Sequence, residues 1–71
     1  MPSNPYDLIG ELVLNKYGSV GMVVDYNHVL DVYKIEWYGG NTPYTVEHQK
    51  HKVEEYISNY DLYEKTKIYR R

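Results

Sequence analysis

Side chains are placed with a period of two in three short stretches of the first forty positions. Leu12 and Leu14 stand two apart, with Glu11 and Val13 on the opposite side, which is the period of a short strand. The cluster Asn15-Lys16-Tyr17-Gly18-Ser19 reads as a turn. Val20 to Tyr26 follows as a second strand, with Val20, Met22, Val24 and Tyr26 on one face and Gly21 and Val23 on the other. Apolar residues on both faces suit a strand that bends to serve two halves of a core, and Gly21 is the place for such a bend. Asn27-His28 marks the next turn. Asp31 to Tyr38 alternates most cleanly: Tyr33, Ile35 and Trp37 point to the core, and Lys34, Glu36 and Tyr38 point to solvent. Gly39-Gly40-Asn41 ends it.

The stretch from Thr42 to Asn59 supports two readings. Val46, His48, Val53, Tyr56, Ile57 and Tyr60 give partial helical spacing, whereas Tyr44 and Val46 alternate as a strand would. The reading adopted is a long, partly ordered excursion over 41–50 and a strand at about 51–57. Ser58 to Asp61 then forms a short turn or one 3₁₀ turn, and Leu62 to Thr66 a last strand. Five short strands with a turn signal every eight to twelve residues predict an all-β protein, a small five-stranded barrel with a short helical or 3₁₀ turn before the final strand.

The residues that carry this pattern also carry a resemblance. Gly10-Glu11-Leu12-Val13, then Gly18-Ser19-Val20-Gly21-Met22-Val23, then Tyr33-Lys34-Ile35-Glu36-Trp37 and finally Asp61-Leu62 resemble, in order and spacing, small SH3-like barrels of the KOW and Tudor-like kind. In particular the chain looks like small SH3-like proteins of tailed phages, marine ones among them. The resemblance covers residues 8–65 and departs between Gly40 and Lys52, where a longer segment replaces the usual short hairpin. It implies an SH3-like barrel domain at 8–66; Pro2 and Pro5 mark 1–7 as a leader, and the charge distribution marks 67–71 as a basic tail. It implies fold far more than activity, since such barrels host unrelated roles.

Composition narrows the chemistry. With 71 residues the chain makes one domain at most. It has no cysteine, which removes disulfide scaffolds, thiolate metal sites and cysteine nucleophiles. Glu47, His48 and His51, with Glu54 and Glu55 behind, lack the spacing of a metal site; the expectation is a solvated polar segment, with no metal and no cofactor. Gly18-x-x-Gly21 precedes a strand, so it is read as a turn and not as a phosphate cradle. Asp25 and Asp31 flank one hairpin without a nucleophile beside them, and catalysis is not expected. No apolar run is long enough to span a bilayer, and the first residues, MPSNPYD, do not read as a secretory signal. The expected location is the cytoplasm of a host cell or a virion.

Two features remain as candidate binding surfaces. The chain has ten tyrosines and neither phenylalanine nor alanine, so tyrosine has to fill core positions and can also present an aromatic face. Tyr17, Tyr26, Tyr38 and Tyr44 lie at strand ends or in loops and are the candidate contacts for a protein partner. Charge supplies the alternative. Residues 1–64 hold all ten acids and four bases, while Lys65, Lys67, Arg70 and Arg71 crowd the end. A basic tail suits nucleic acid or the transcription machinery, although an acidic body repels phosphate. A protein-interaction or structural module is therefore ranked ahead of a nucleic-acid accessory protein, and exposed edge strands make a weak homodimer a further expectation.

Overall fold

A computed structural model describes residues 4–69, with side chains through Thr66. Four strands form one antiparallel sheet: β1 (Leu12–Leu14), β2 (Val20–Asn27), β3 (Val32–Trp37) and β4 (Tyr44–Gln49). They pair in sequence order, β1-β2-β3-β4. One helix, α1 (Lys50–Tyr69), follows β4 without a loop. The fold is α+β with an open sheet. It is neither all-β nor a closed five-stranded barrel, and this corrects the architecture expected above.

The physical reason lies in residues 50–69. Val53, Tyr56, Ile57 and Tyr60 recur at intervals of three, one and three, so they line one stripe of a helix. Val53 is fully buried, and Tyr56 and Ile57 pack against the core. A strand over 51–57 would scatter these residues on both faces. The expected final strand at Leu62–Thr66 is the continuation of the same helix, and the turn expected at Ser58–Asp61 is its middle. Twenty residues give α1 a length of about 30 Å. It runs from β4 across the inner face of the sheet to β1, where the Asn59 amide donates to the Leu14 carbonyl oxygen at 3.2 Å. The excursion expected at 41–50 is in fact loop up to Pro43 and the regular strand β4 beyond it.

The core is the layer between sheet and helix. Val13, Val23, Tyr33, Ile35, Trp37 and Val53 are buried, and Leu8, Tyr26, Tyr56 and Ile57 pack on them. Tyr33, Ile35 and Trp37 point inward as the alternation of β3 predicts, and Lys34, Glu36 and Tyr38 turn away. β2 departs from simple alternation. Val23 faces Ile35 and Asp25 faces Lys34, so Val24 is skipped as a bulge and the side chains change face there. Tyr26 therefore joins the inner face, opposite Tyr33, instead of sharing a face with Met22 and Val20. On the outer face Leu12 pairs with Met22, and Leu14 with Val20.

The tyrosines that replace phenylalanine in this core keep their hydroxyls bonded. Tyr33 donates to the Pro5 carbonyl oxygen at 3.0 Å and Tyr26 to Asp31 Oδ1 at 2.6 Å. The first of these ties the sheet to a 3₁₀ turn at Pro5–Leu8. Pro5 opens that turn at a position where no N–H is needed. Asn4 and Asp7 cap it reciprocally. Tyr6, on the turn, meets Tyr26 edge-on at 5.2 Å.

Gly21 marks the tightest approach in the sheet. A Cβ there would sit 2.8 Å from both the Glu36 carbonyl oxygen and Trp37 Cε3, and 3.0 Å from Ile35 Cγ2. Gly21→Ala is expected to destabilise the fold by about 1–3 kcal/mol, because the core must move to admit one methyl group. Gly40→Ala, whose nearest contact would be 3.7 Å, is expected to change stability by less than about 0.5 kcal/mol. Urea denaturation of both variants checks this, and equal midpoints would refute the close approach.

Candidate functional site

The four expected contact tyrosines do not gather on one surface. Tyr26 is engaged on the inner face, 4.6 Å from Tyr33 ring to ring. Its hydroxyl is pushed up to a pKa of about 12, first by the hydrogen bond to Asp31, then by burial. Asp25 accepts the Tyr26 backbone N–H, so both carboxylates flanking this hairpin are turned on one tyrosine. Tyr17 lies at the other end of β2, in the turn before it, and is 81% exposed. That turn is held by the Asn15 side chain, which accepts from the N–H of Tyr17 and of Ser19, and by Gly18 at φ 88°. Tyr38 stands just past β3 on the outer face, where its hydroxyl donates to Glu36 Oε1 at 2.9 Å. Tyr44 opens β4 opposite Trp37, so it belongs to the inner face.

The hydroxyls share a chemistry. Tyr38 is raised by its bond to Glu36, Tyr60 by its bond to Glu64, and Tyr33 by burial. Each shift moves the phenol further from ionisation at neutral pH. In the folded chain the hydroxyls of Tyr26, Tyr33 and Tyr38 donate hydrogen bonds. Of the basic residues, Lys65 is exposed on α1 and Lys67 lies within the helix; Arg70 and Arg71 fall outside the described residues. Among the described residues no three of His, Asp and Glu come together as a metal site would need, and no helix is long and apolar enough to cross a membrane.

The most exposed strand is β4, at one edge of the sheet. Five of its six residues are exposed, and only His48 is half-buried. The direction of its backbone groups follows from hydrogen bonds elsewhere in the sheet. Tyr38 donates its N–H to the Val20 carbonyl oxygen at 2.9 Å, so its backbone faces β2. Val23, on β2, exchanges bonds with Gly10 and Glu11 on the other side, in the same alternation. Along β3, Trp37, Ile35 and Tyr33 must then face β4. Their partners are Tyr44, Val46 and His48. It follows that Thr45 and Glu47 direct both their N–H and C=O groups, and Gln49 its N–H, away from the sheet into a vacant strand position, while the Gln49 carbonyl caps the start of α1. Beside these groups, on the inner face, Tyr44 is 50% and Val46 39% exposed.

His48 anchors this strand from within. Its ring meets Trp37 at 5.9 Å and Tyr56 at 5.5 Å, and Trp37 and Tyr56 meet each other at 5.5 Å, all three edge-on. Trp37 Nε1 donates to His48 Nε2 at 3.4 Å, which requires an unprotonated Nε2. Burial, then the Lys52 ammonium, hold the imidazole below its usual range. Sequence reasoning missed this strand because it joined 41–50 into one irregular segment. The signal was present in Tyr44-Thr45-Val46-Glu47-His48, where large and polar residues alternate.

Comparison of the chain with protein-family models, with curated proteins and with solved structures returns no match.

The lowered His48 pKa has a consequence for stability. The folded state binds this proton more weakly than the unfolded state, whose imidazole titrates near 6.5. The stabilisation is complete above about pH 6.5 and is lost as pH falls through the lower folded value. Unfolding free energies measured in urea at pH 7.5 and 5.5 are expected to drop more for the parent chain than for His48→Gln. An equal drop in the two proteins would show that His48 is not the group responsible.

Proposed function

We propose that this chain is a non-catalytic protein-interaction module that accepts an extended segment of a partner along β4. The carrying observation is the unpaired row of backbone groups at Thr45 and Glu47, continued by the Gln49 N–H and flanked by the half-exposed Tyr44 and Val46. Strand addition draws its affinity from such main-chain groups and its selectivity from alternate side chains beside them. Tyr44 and Val46 are the alternate side chains on the inner face, and they offer an aromatic and an aliphatic contact. Thr45, Glu47 and Gln49 occupy the outer face and are polar, so the incoming segment would be apolar on one side and polar on the other. Tyr38 lies beyond the other end of the β3–β4 loop and can extend the contact on the outer face.

The test is selection of peptides of about twelve residues from a displayed random library on the immobilised chain. Enriched peptides are expected to be rich in β-formers and to bind with Kd of order 10–100 μM. Glu47→Pro removes one outward N–H and leaves the bonds to β3 in place, a substitution that edge strands tolerate. It is expected to weaken binding at least ten-fold with the circular dichroism spectrum unchanged. Tyr44→Ala is expected to weaken it several-fold. Peptides that bind Glu47→Pro as tightly as the parent would refute strand addition at this edge.

A further inference from the structure

We infer that the segment best matched to the β4 edge is β4 of a second copy, joined to the first about a two-fold axis through Val46. This rests on the strand-addition reading and gives that strand an identity. Parity limits the arrangements first. A two-fold axis perpendicular to the sheet keeps inner faces together, so Tyr44, Val46 and His48 can oppose only one another or other inner-face residues. Three registers then compete.

With the axis at Glu47, two Glu47 carboxylates stand directly opposite each other, which is unfavourable. With the axis at Thr45, Glu47 faces Pro43, which has no N–H to give. The axis at Val46 separates the Glu47 carboxylates and moves the proline out to the end of the pairing, opposite Gln49. Thr45 then faces Glu47 of the partner subunit, and Glu47 faces Thr45 of the partner subunit. Because these residues point their backbones outward, each such pair exchanges two N–H···O=C bonds. Gln49 can add a bond to the Pro43 carbonyl oxygen on either side, and the missing proline N–H ends the pairing there.

The inner face is matched as well. Val46 meets its own copy, and Tyr44 meets His48 of the partner subunit. These are non-hydrogen-bonded pairs, in which side chains approach most closely, with Cα atoms roughly 4.5 Å apart. Tyr44 would extend the Trp37–His48–Tyr56 aromatic group across the junction. The two four-stranded sheets become one sheet of eight strands. Six residues a side is far less than the roughly twenty to thirty of a standard interface, so the association is weak, with Kd of order 0.1 mM.

The absence of cysteine from the chain gives a direct test. In the proposed register Val46→Cys places two thiols across the axis, within the roughly 4.4–6.8 Å Cα separation of a disulfide. Thr45→Cys faces Glu47 of the partner subunit and has no thiol within reach. At about 0.5 mM in a glutathione redox buffer, Val46→Cys is expected to form a covalent dimer at least ten-fold faster than Thr45→Cys. Equal rates would mark random collision and overturn the proposal, and faster crosslinking of Thr45→Cys would overturn this register. Sedimentation equilibrium of the unsubstituted chain is independent of either variant's folding. A monomer mass at 1 mM would also overturn the proposal, and a rise in mass that Glu47→Pro abolishes would support it. Peptide binding to a chain that stays monomeric would leave strand addition standing while the second copy falls. Loss of both would remove both.

Discussion

An open four-stranded sheet has two faces, and α1 lies across one of them. The contact that holds it there is the seating of Val53 and its helical neighbours on the buried row Tyr33, Ile35 and Trp37. β3 lies between two partners and donates the largest side chains, so it is where burial is worth most, about 1.5–3 kcal/mol for each large apolar group. Every other element is arranged to keep that row dry. β1 and β2 close one side, β4 the other, and the Pro5–Leu8 turn reaches over the end to take the Tyr33 hydroxyl. A cost remains at the perimeter, where β4 keeps a row of backbone groups without a neighbour.

The bulge at Val24 belongs to the same arrangement. Without it the β2 segment beyond Val23 would direct Asp25 onto the inner face and Tyr26 to the outer one. The skipped residue exchanges the two. A carboxylate is thereby kept out of an apolar layer, and a second ring is packed at a tilt against Tyr33. The hydroxyl it brings along is satisfied by Asp31, at the far side of the same hairpin. One extra residue in one strand thus settles both a packing and an electrostatic problem.

Much of the sheet was legible in the residues. The three strands over residues 12–37 and the inward set Tyr33, Ile35 and Trp37 follow from a period of two, and the Asn15–Ser19 and Asn27–His28 turns from their turn-forming residues. The second half was misread for a definite reason. Val46 and His48 belong to a strand and Val53, Tyr56, Ile57 and Tyr60 to a helix, yet no glycine, proline or loop separates them, because Lys50 follows Gln49 directly. Averaged across that junction, neither period is clean. The first turn of α1 also carries Lys50 and Lys52 and no acid, against the usual preference for acids at a helix start, which hides its beginning. The candidate site suffered with it. Tyrosines are easy to single out by type, but which face each occupies depends on register and on the bulge, and a free edge exists only once strand order is known.

The chain has a single tryptophan, and its placement makes the molecule self-reporting. Trp37 touches both His48 of β4 and Tyr56 of α1, which also touch each other. Its indole is held in a mostly dry layer whose walls are the last strand and the helix that follows it. Any event that shifts β4 against α1, or that places a proton on the imidazole, changes the polarity and the quenching groups around one fluorophore. Emission from Trp37 is therefore an optical readout of the junction between strand and helix, native to the chain and requiring no label.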